Sequence, residues 1–342
     1  MSRGHPSTQC FVVPALDGPV TGGTLYNREL CSALGRSATR VLVSELGAAG
    51  LGAALEAAGQ VWVDSLYLAA LPDVAREATG RVGLLAHYLP SFVAYGRAIQ
   101  PAELGAEEAR ALSIANAFLV TSDFMREALG PLVAPEKPIF VAVPGSHARL
   151  GRLPPNPSLG LRALMIGNVV PGKGLEALLM ALSELLRAED PFELSVVGSL
   201  DFDPEYVARC RRVIANSARL AARVTLLGAC SPERTAHVLN EAELLLSASR
   251  MESFGMALSE ARVAGIPIAS CAGGNAAAHV RVEAGGQLVD SPRELAAACL
   301  ELARAPARVQ QRIGQARGHA LPARPWSETA RALLGQLACL EK

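Results

Sequence analysis

The sequence predicts an α/β protein made of two open, parallel-sheet domains that face each other across a cleft. Three observations predict it. Short apolar runs alternate with helical patterns along the whole chain, several of those runs end in glycine or in a polar residue, and a stretch rich in proline and glycine divides the alternation into halves. At 342 residues, half of them hydrophobic, each half is long enough to bury its own core.

The first half opens with an apolar run from Cys10 to Leu16, a turn from Asp17 to Gly23, and a helical pattern with Leu25, Leu30 and Leu34 on one face. A strand, glycine-rich turn and helix is a common ligand-binding arrangement, but there is no GxGxxG, and the Gly22-Gly23 pair is equally consistent with a tight turn. The absent fingerprint, and the absence of an acid where Val43 meets Ser44, argue against a dinucleotide-dependent dehydrogenase. Further strands are expected at Arg40 to Val43, Gln60 to Val63, Arg81 to His87, Ala117 to Thr121 and Ile139 to Val143. His87 ends the third of these runs just before Pro90. In such sheets ligands lie beyond the carboxyl ends of strands, so His87 is either a site residue or a buried structural histidine. Ser122 or Asp123 caps the helix that follows the fourth.

Between Pro144 and Gly160 the texture changes to glycine and proline. The expected division is 1–148 for the first domain, 149–160 for a linker, 161–322 for the second domain and 323–342 for a terminal helix.

The second half starts with a strand from Leu161 to Ile166 and a loop, Gly167-NVVPGK-Gly174, that leads into a helix bearing Leu175, Leu178, Leu179 and Leu182. Pro171 and Gly172 force a turn that leaves Lys173 at the mouth of the loop. The chain has only three lysines, and one at the carboxyl end of a strand favours phosphate binding over simple solvation. Glu193 to Val197 and Arg223 to Leu227 are strands that end in Gly198 and Gly228, and Ile266 to Ser270 leads to Gly273-Gly274.

The stretch that organises this half is Arg250-MESFGMALSE-Ala261, which follows the apolar run Glu243 to Leu246. If a helix begins near Ser253, the amides of Phe254, Gly255 and Met256 and the positive end of the helix dipole suit a phosphate. Glu252 and Glu260 would then differ by about 80° in azimuth and about 12 Å along the axis, a spacing that can hold both ends of a ligand whose middle is anionic. Two glutamates so spaced are otherwise commonplace on a solvated face.

Composition excludes several function classes. Formal net charge is zero and the pI is near 7.0, so nucleic acid is not an expected partner, and peripheral membrane contact is not favoured. The seven cysteines include no CxxC pair and read as reduced thiols of a cytoplasmic protein, with no metal site. No apolar run reaches the roughly 18 residues needed to span a bilayer.

Taken together, GNVVPGKGLEALLMAL, VTLLGACSPERTAHVLNEAELLLSAS, ESFGMALSEARVAGIPIAS and the Gly273-Gly274 turn resemble the retaining glycosyltransferases of family 4 (glycosyl transferases group 1). TGGTLYNREL, HYLPS and the segment around Trp326 extend the resemblance over nearly the whole chain. It implies a GT-B fold of two Rossmann-like domains, with the terminal helix crossing back to the first. It implies a nucleotide-diphosphate sugar as co-substrate, with no separate cofactor and no metal.

By that resemblance Glu252 contacts donor-sugar hydroxyls and Glu260 the ribose; Ser253, Phe254, Gly255 and Met256 line the sugar and diphosphate. Lys173 holds the diphosphate, Gly23 lies beside it, His87 is near the donor sugar, and Gly198 and Gly228 flank the nucleobase. Gly22 and Thr24 belong to the acceptor side. One position departs from the pattern: where the family has arginine, five residues before the lysine, this chain has Asn168. A cation missing beside a departing diphosphate weakens charge stabilisation in the transition state.

The expected activity is therefore retaining, metal-independent transfer of a sugar to an acceptor hydroxyl on a small molecule or glycan. The alternatives are a nucleotide-sugar binding protein that has lost catalysis and a sugar-nucleotide epimerase of the same fold.

Overall fold

The computed structural model describes residues 8–37, 41–147 and 160–338, and divides the chain into two units. Unit 1 holds residues up to Gly145 together with those from Arg324 onward; unit 2 runs from Ser146 to Ala323. The linker expected at 149–160 lies outside the described residues, apart from Gly160.

In unit 1 the chain runs β1 (Gln9–Val12), α1 (Gly22–Arg36), β2 (Val41–Ser44), α2 (Leu51–Ala57), β3 (Gln60–Asp64), α3 (Leu71–Glu77) and β4 (Arg81–Ala86). It continues through α4 (Pro90–Tyr95), α5 (Ala106–Ile114), β5 (Ala117–Val120), α6 (Asp123–Leu129) and β6 (Ile139–Val141). The strands form one parallel sheet in the order β2-β1-β3-β4-β5-β6. Every residue of β1, β3 and β5 is buried, as required of strands covered on both faces, and this is why they read as apolar runs, interrupted only at the ends of β1 and β3 by Gln9, Gln60 and Asp64. Trp62 on β3 is fully buried, and its indole N–H donates to Gln9 Oε1 at 2.9 Å, so the one polar atom of the largest core side chain is satisfied. The order reverses between β1 and β3, which opens a crevice at the carboxyl ends of these strands.

In unit 2 the elements are β7 (Leu161–Ile166), α7 (Leu175–Leu185), β8 (Phe192–Val197), α8 (Pro204–Ala215), α9 (Ala218–Ala221), β9 (Val224–Gly228) and α10 (Pro232–Glu241). They continue as β10 (Leu244–Ser247), α11 (Met256–Ala264), β11 (Ile268–Cys271), α12 (Ala276–His279), β12 (Gln287–Val289), α13 (Pro292–Ala303) and α14 (Pro306–Gly318). The sheet is again parallel, ordered β12-β11-β10-β7-β8-β9. Leu175, Leu178, Leu179 and Leu182 pack α7 onto one sheet face, while Leu258, Ala261 and Ala264 pack α11 onto another cluster that holds Leu164 and Leu245. The reversal of order falls between β7 and β10, so the loops after those two strands flank the crevice.

The final helix, α15 (Trp326–Leu337), returns to unit 1. Its Gln336 amide donates to Val141 O at 2.8 Å and accepts from Val141 N–H at 3.0 Å, and Thr329 Oγ1 donates to Val143 O at 2.7 Å. Backbone groups at and beyond the edge strand β6 are thereby paired with side chains.

Candidate functional site

In unit 2 the loop after β7 carries a 3₁₀ turn, Pro171–Lys173, and the loop after β10 carries Ser249 to Gly255. Lys173 Nζ lies 2.7 Å from Glu252 Oε1, with the lysine side chain 31% exposed and the glutamate 13% exposed. Burial pushes the Glu252 carboxyl up, but the Lys173 ammonium and a hydrogen bond from Ser249 outweigh it and hold the group below its ordinary range. Glu252 is therefore an anion at neutral pH.

The expectation that Glu252 and Glu260 share one helix is not met. The helix α11 begins at Met256, and Glu252 is extended instead: it forms a parallel bridge with Gly274, its carbonyl accepting from Asn275 N–H at 2.7 Å. A partner strand of backbone after β11 captures those residues before a helix can form. Gly255 occupies the left-handed region, φ 89°, and caps the helix with no side-chain hydrogen bond. The first helical bond is Ser259 N–H to Gly255 O, so the amides of Met256, Ala257 and Leu258 come before it. Those three donors have no partner within the helix, and the helix dipole adds positive charge at this end; of the expected amides only that of Met256 is among them, because Phe254 and Gly255 precede the helix.

Two residues not singled out from the sequence hold this turn. Asn275 Nδ2 donates to Phe254 O at 2.8 Å, and His279 Nε2 donates to the same carbonyl at 2.6 Å, with the His279 ring against that of Phe254. Burial pushes the His279 imidazole below its ordinary pKa. The Gly273-Gly274 pair just ahead of Asn275 was the available signal for it.

Glu260 is half-buried on α11, and burial pushes its carboxyl up against the opposing pull of His147. Ser253 and Phe254 are half-buried in the turn itself. Asn168 follows β7, and its Oδ1 accepts from Ser199 N–H at 2.9 Å, tying the loop after β7 to the loop after β8. Gly198 N–H donates to Gly228 O at 2.9 Å, so these two glycines lie side by side at the carboxyl ends of β8 and β9.

The remaining candidates lie in unit 1. Gly22, Gly23 and Thr24 form the first turn of α1, not the preceding loop, because Thr21 and Thr24 make a reciprocal capping box. The Thr24 hydroxyl is buried and also reaches Pro19 O at 3.1 Å, so it serves the helix end. A side chain at Gly23 would place its Cβ 3.4 Å from His87 Cδ2. His87 is buried behind it, with Nε2 2.9 Å from Asn27 Oδ1 and 3.4 Å from Asp64 Oδ2. Asn27 lies within TGGTLYNREL but was not singled out there, and Asp64 lies in no quoted motif; the signal for Asp64 is an acid that ends the run QVWVD of β3.

Residues 160–305 match the family model described as Glycosyl transferases group 1. That segment is a group 1 glycosyltransferase domain. A D-inositol 3-phosphate glycosyltransferase of Segniliparus rotundus is 34% identical over 177 residues, which make up 49% of this chain and 38% of the relative. One from Rhodococcus opacus is 33% identical over 173 residues, 49% of this chain and 39% of that protein. The matched stretch thus spans about two fifths of the length of these curated relatives.

Among solved structures, sucrose-phosphate synthase from Thermosynechococcus elongatus superposes with a TM-score of 0.78 at 19% identity, covering 98% of this chain and 99% of that one. Anabaena HepE, solved in complex with UDP-glucose, gives 0.75 at 16% identity, covering 97% and 100%. At such identities the likeness is one of fold, and the fold is that of the GT-B glycosyltransferases, as expected from the motifs.

Proposed function

We propose that this chain is a glycosyltransferase that moves a sugar from a nucleotide-diphosphate sugar to an acceptor hydroxyl with retention of configuration. The observation that carries the reading is the Lys173–Glu252 pair beside the uncapped amino terminus of α11, at the switch point of a parallel sheet. An ammonium and a helix terminus favour the diphosphate, and a carboxylate beside them accepts hydrogen bonds from sugar hydroxyls. HepE, of the same fold, holds UDP-glucose, which makes UDP-glucose the first donor to try.

As the glycosidic bond breaks, negative charge grows on the diphosphate and positive charge on the sugar ring. Lys173 and the amides of Met256, Ala257 and Leu258 stabilise the first, and the Glu252 carboxylate orients the ring that bears the second. This supply of positive charge is the basis for reading the reaction as metal-independent. The acceptor attacks from the face the diphosphate leaves, and a phosphate oxygen takes its proton, so configuration is retained. The ribose falls to Glu260, and the donor-sugar edge in unit 1 to His87. The acceptor is a small molecule or glycan hydroxyl. Reduced cysteines, most of them buried, fit a cytoplasmic setting.

The test is release of UDP from UDP-glucose in the presence of a panel of hydroxyl acceptors, with Lys173→Ala and Glu252→Ala as controls. Full activity in both variants contradicts the assignment. Asn168 favours a second reading. Its side-chain oxygen is committed to the Ser199 amide, and it is no substitute for a cation. A protein that binds the donor in a calorimeter yet transfers to no acceptor and hydrolyses no donor is a nucleotide-sugar binder.

A further inference from the structure

For a neutral His87 imidazole, the buried cluster beneath it has one hydrogen-bond order. Asp64 is fully buried at the end of β3, and its Oδ1 accepts from Leu66 N–H at 2.8 Å. Its Oδ2 accepts from Asn27 Nδ2 at 2.6 Å. Burial pushes the Asp64 carboxyl up, yet the facing His87 and the donated hydrogen bonds hold it below its ordinary value, so it is a carboxylate.

A carboxylate accepts only, so the Asn27 amide must turn its NH₂ toward Asp64. That leaves Asn27 Oδ1 facing His87 Nε2 at 2.9 Å, and an amide oxygen also accepts only. The proton of the neutral imidazole therefore sits on Nε2, and Nδ1 keeps its lone pair. Among the described residues Nδ1 has no hydrogen-bond partner. Gly23 and Asn27 are four apart on α1 and share a face. The first makes room for the ring, and the second fixes it; Tyr26 meets the ring edge-on with centroids 5.1 Å apart.

We infer that Asn27, oriented by Asp64, is a positioning residue that locks His87 as the Nε2–H tautomer, so that Nδ1 accepts a hydrogen bond from a ligand hydroxyl. The catalytic consequence rests on the donor-site reading of His87 given above; the tautomer does not. A sugar hydroxyl donates to such a nitrogen, whereas the other tautomer would present an N–H to the hydroxyl oxygen, so the tautomer fixes the direction of the bond.

The test is the imidazole nitrogen spectrum of the full-length, ¹⁵N-labelled protein, with His87→Gln to assign the ring among the six histidines. The expected result is a protonated Nε2 and a bare Nδ1 in the wild type, with tautomer averaging in Asn27→Ala and in Asp64→Asn. A bare Nε2 in the wild type, or an unchanged spectrum in the Asn27 variant, overturns the inference. Should neither variant fold, the wild-type spectrum alone decides.

In UDP-glucose hydrolysis, Asn27→Ala is expected to lower kcat about 100-fold, the scale of a group misplaced by about 1 Å, and to leave KM within about twofold. His87→Ala should lose at least as much. Loss in His87→Ala without loss in Asn27→Ala contradicts a positioning role. No loss in His87→Ala contradicts the donor-site reading itself, and the nitrogen spectrum still decides the tautomer.

Discussion

Lys173 Nζ and Glu252 Oε1, 79 residues apart in sequence, meet at 2.7 Å and join the loops after β7 and β10. The lysine thus has a carboxylate partner where a diphosphate is proposed to sit. Binding must redirect that ammonium from one anion to another. Glu252→Gln, which frees the lysine, is expected to leave UDP affinity unchanged or tighter while lowering turnover of UDP-glucose about 100-fold or more, the usual scale for a lost electrostatic contact in a transition state. Lys173→Ala should weaken UDP itself about tenfold or more, as the loss of a charge-assisted bond would. Calorimetry on UDP and initial rates on UDP-glucose separate the two effects.

Gly255 allows a sharper test of the anion site. Its φ is 89°, and a Cβ added there would lie 3.1 Å from Leu258 Cδ1 and 3.3 Å from His279 Cδ2, so conformation and space both oppose a side chain. Gly255→Ala is expected to cost about 1–2 kcal/mol for the left-handed conformation and to displace the first amides of α11. Chemical denaturation gives the first quantity, and UDP affinity in the same variant reports the second.

The fold was legible because parallel strands buried on both faces announce themselves as apolar runs, and because Gly198 and Gly228 punctuate two of them. Lys173 was legible for a similar reason, since Pro171 and Gly172 dictate a turn at a strand end. The local setting of Glu252 was not. Whether MESFG opens a helix or extends as a bridge depends on Gly274 and Asn275, which come about twenty residues later, and no local periodicity carries that information. Asn27 and Asp64 escaped for the same cause: a buried amide and a buried acid acquire meaning only when α1 and β3 are brought against His87.

Asn168 bears on the rate of the proposed transfer. Because Oδ1 holds Ser199 N–H, Asn168→Ala is expected to cost about 1 kcal/mol of stability, the net worth of one such bond. Asn168→Arg exchanges that bond for a cation near the diphosphate. Its expected effect is a lower Tm together with a higher kcat on UDP-glucose, measured by thermal denaturation and initial rates. A fall in both would place the side chain in a purely structural role.

Glu260 predicts a pH dependence. Its folded pKa is raised by burial, so the wild type carries no penalty while the group is protonated, below its ordinary value near 4.5, and loses stability as pH rises through the folded pKa. Glu260→Gln avoids that loss. The variant is expected to melt at or above the wild-type temperature at about pH 8, with the difference vanishing by about pH 4. A variant that melts lower at the alkaline end and recovers on acidification would reverse the sign and refute the assignment of the burial cost.

The central claim is that unit 2 binds a nucleotide-diphosphate sugar through Lys173. The most direct measurement is a thermal-shift titration of the wild type and Lys173→Ala with UDP-glucose, alongside the corresponding GDP and ADP sugars. At about 100 times the dissociation constant a ligand adds about 2.7 kcal/mol of stability, which is several degrees for a protein of this size. The account predicts that at least one of these donors produces such a rise in the wild type and that Lys173→Ala loses most of it. A wild type that none of them stabilises, or a rise that survives intact in Lys173→Ala, would contradict it.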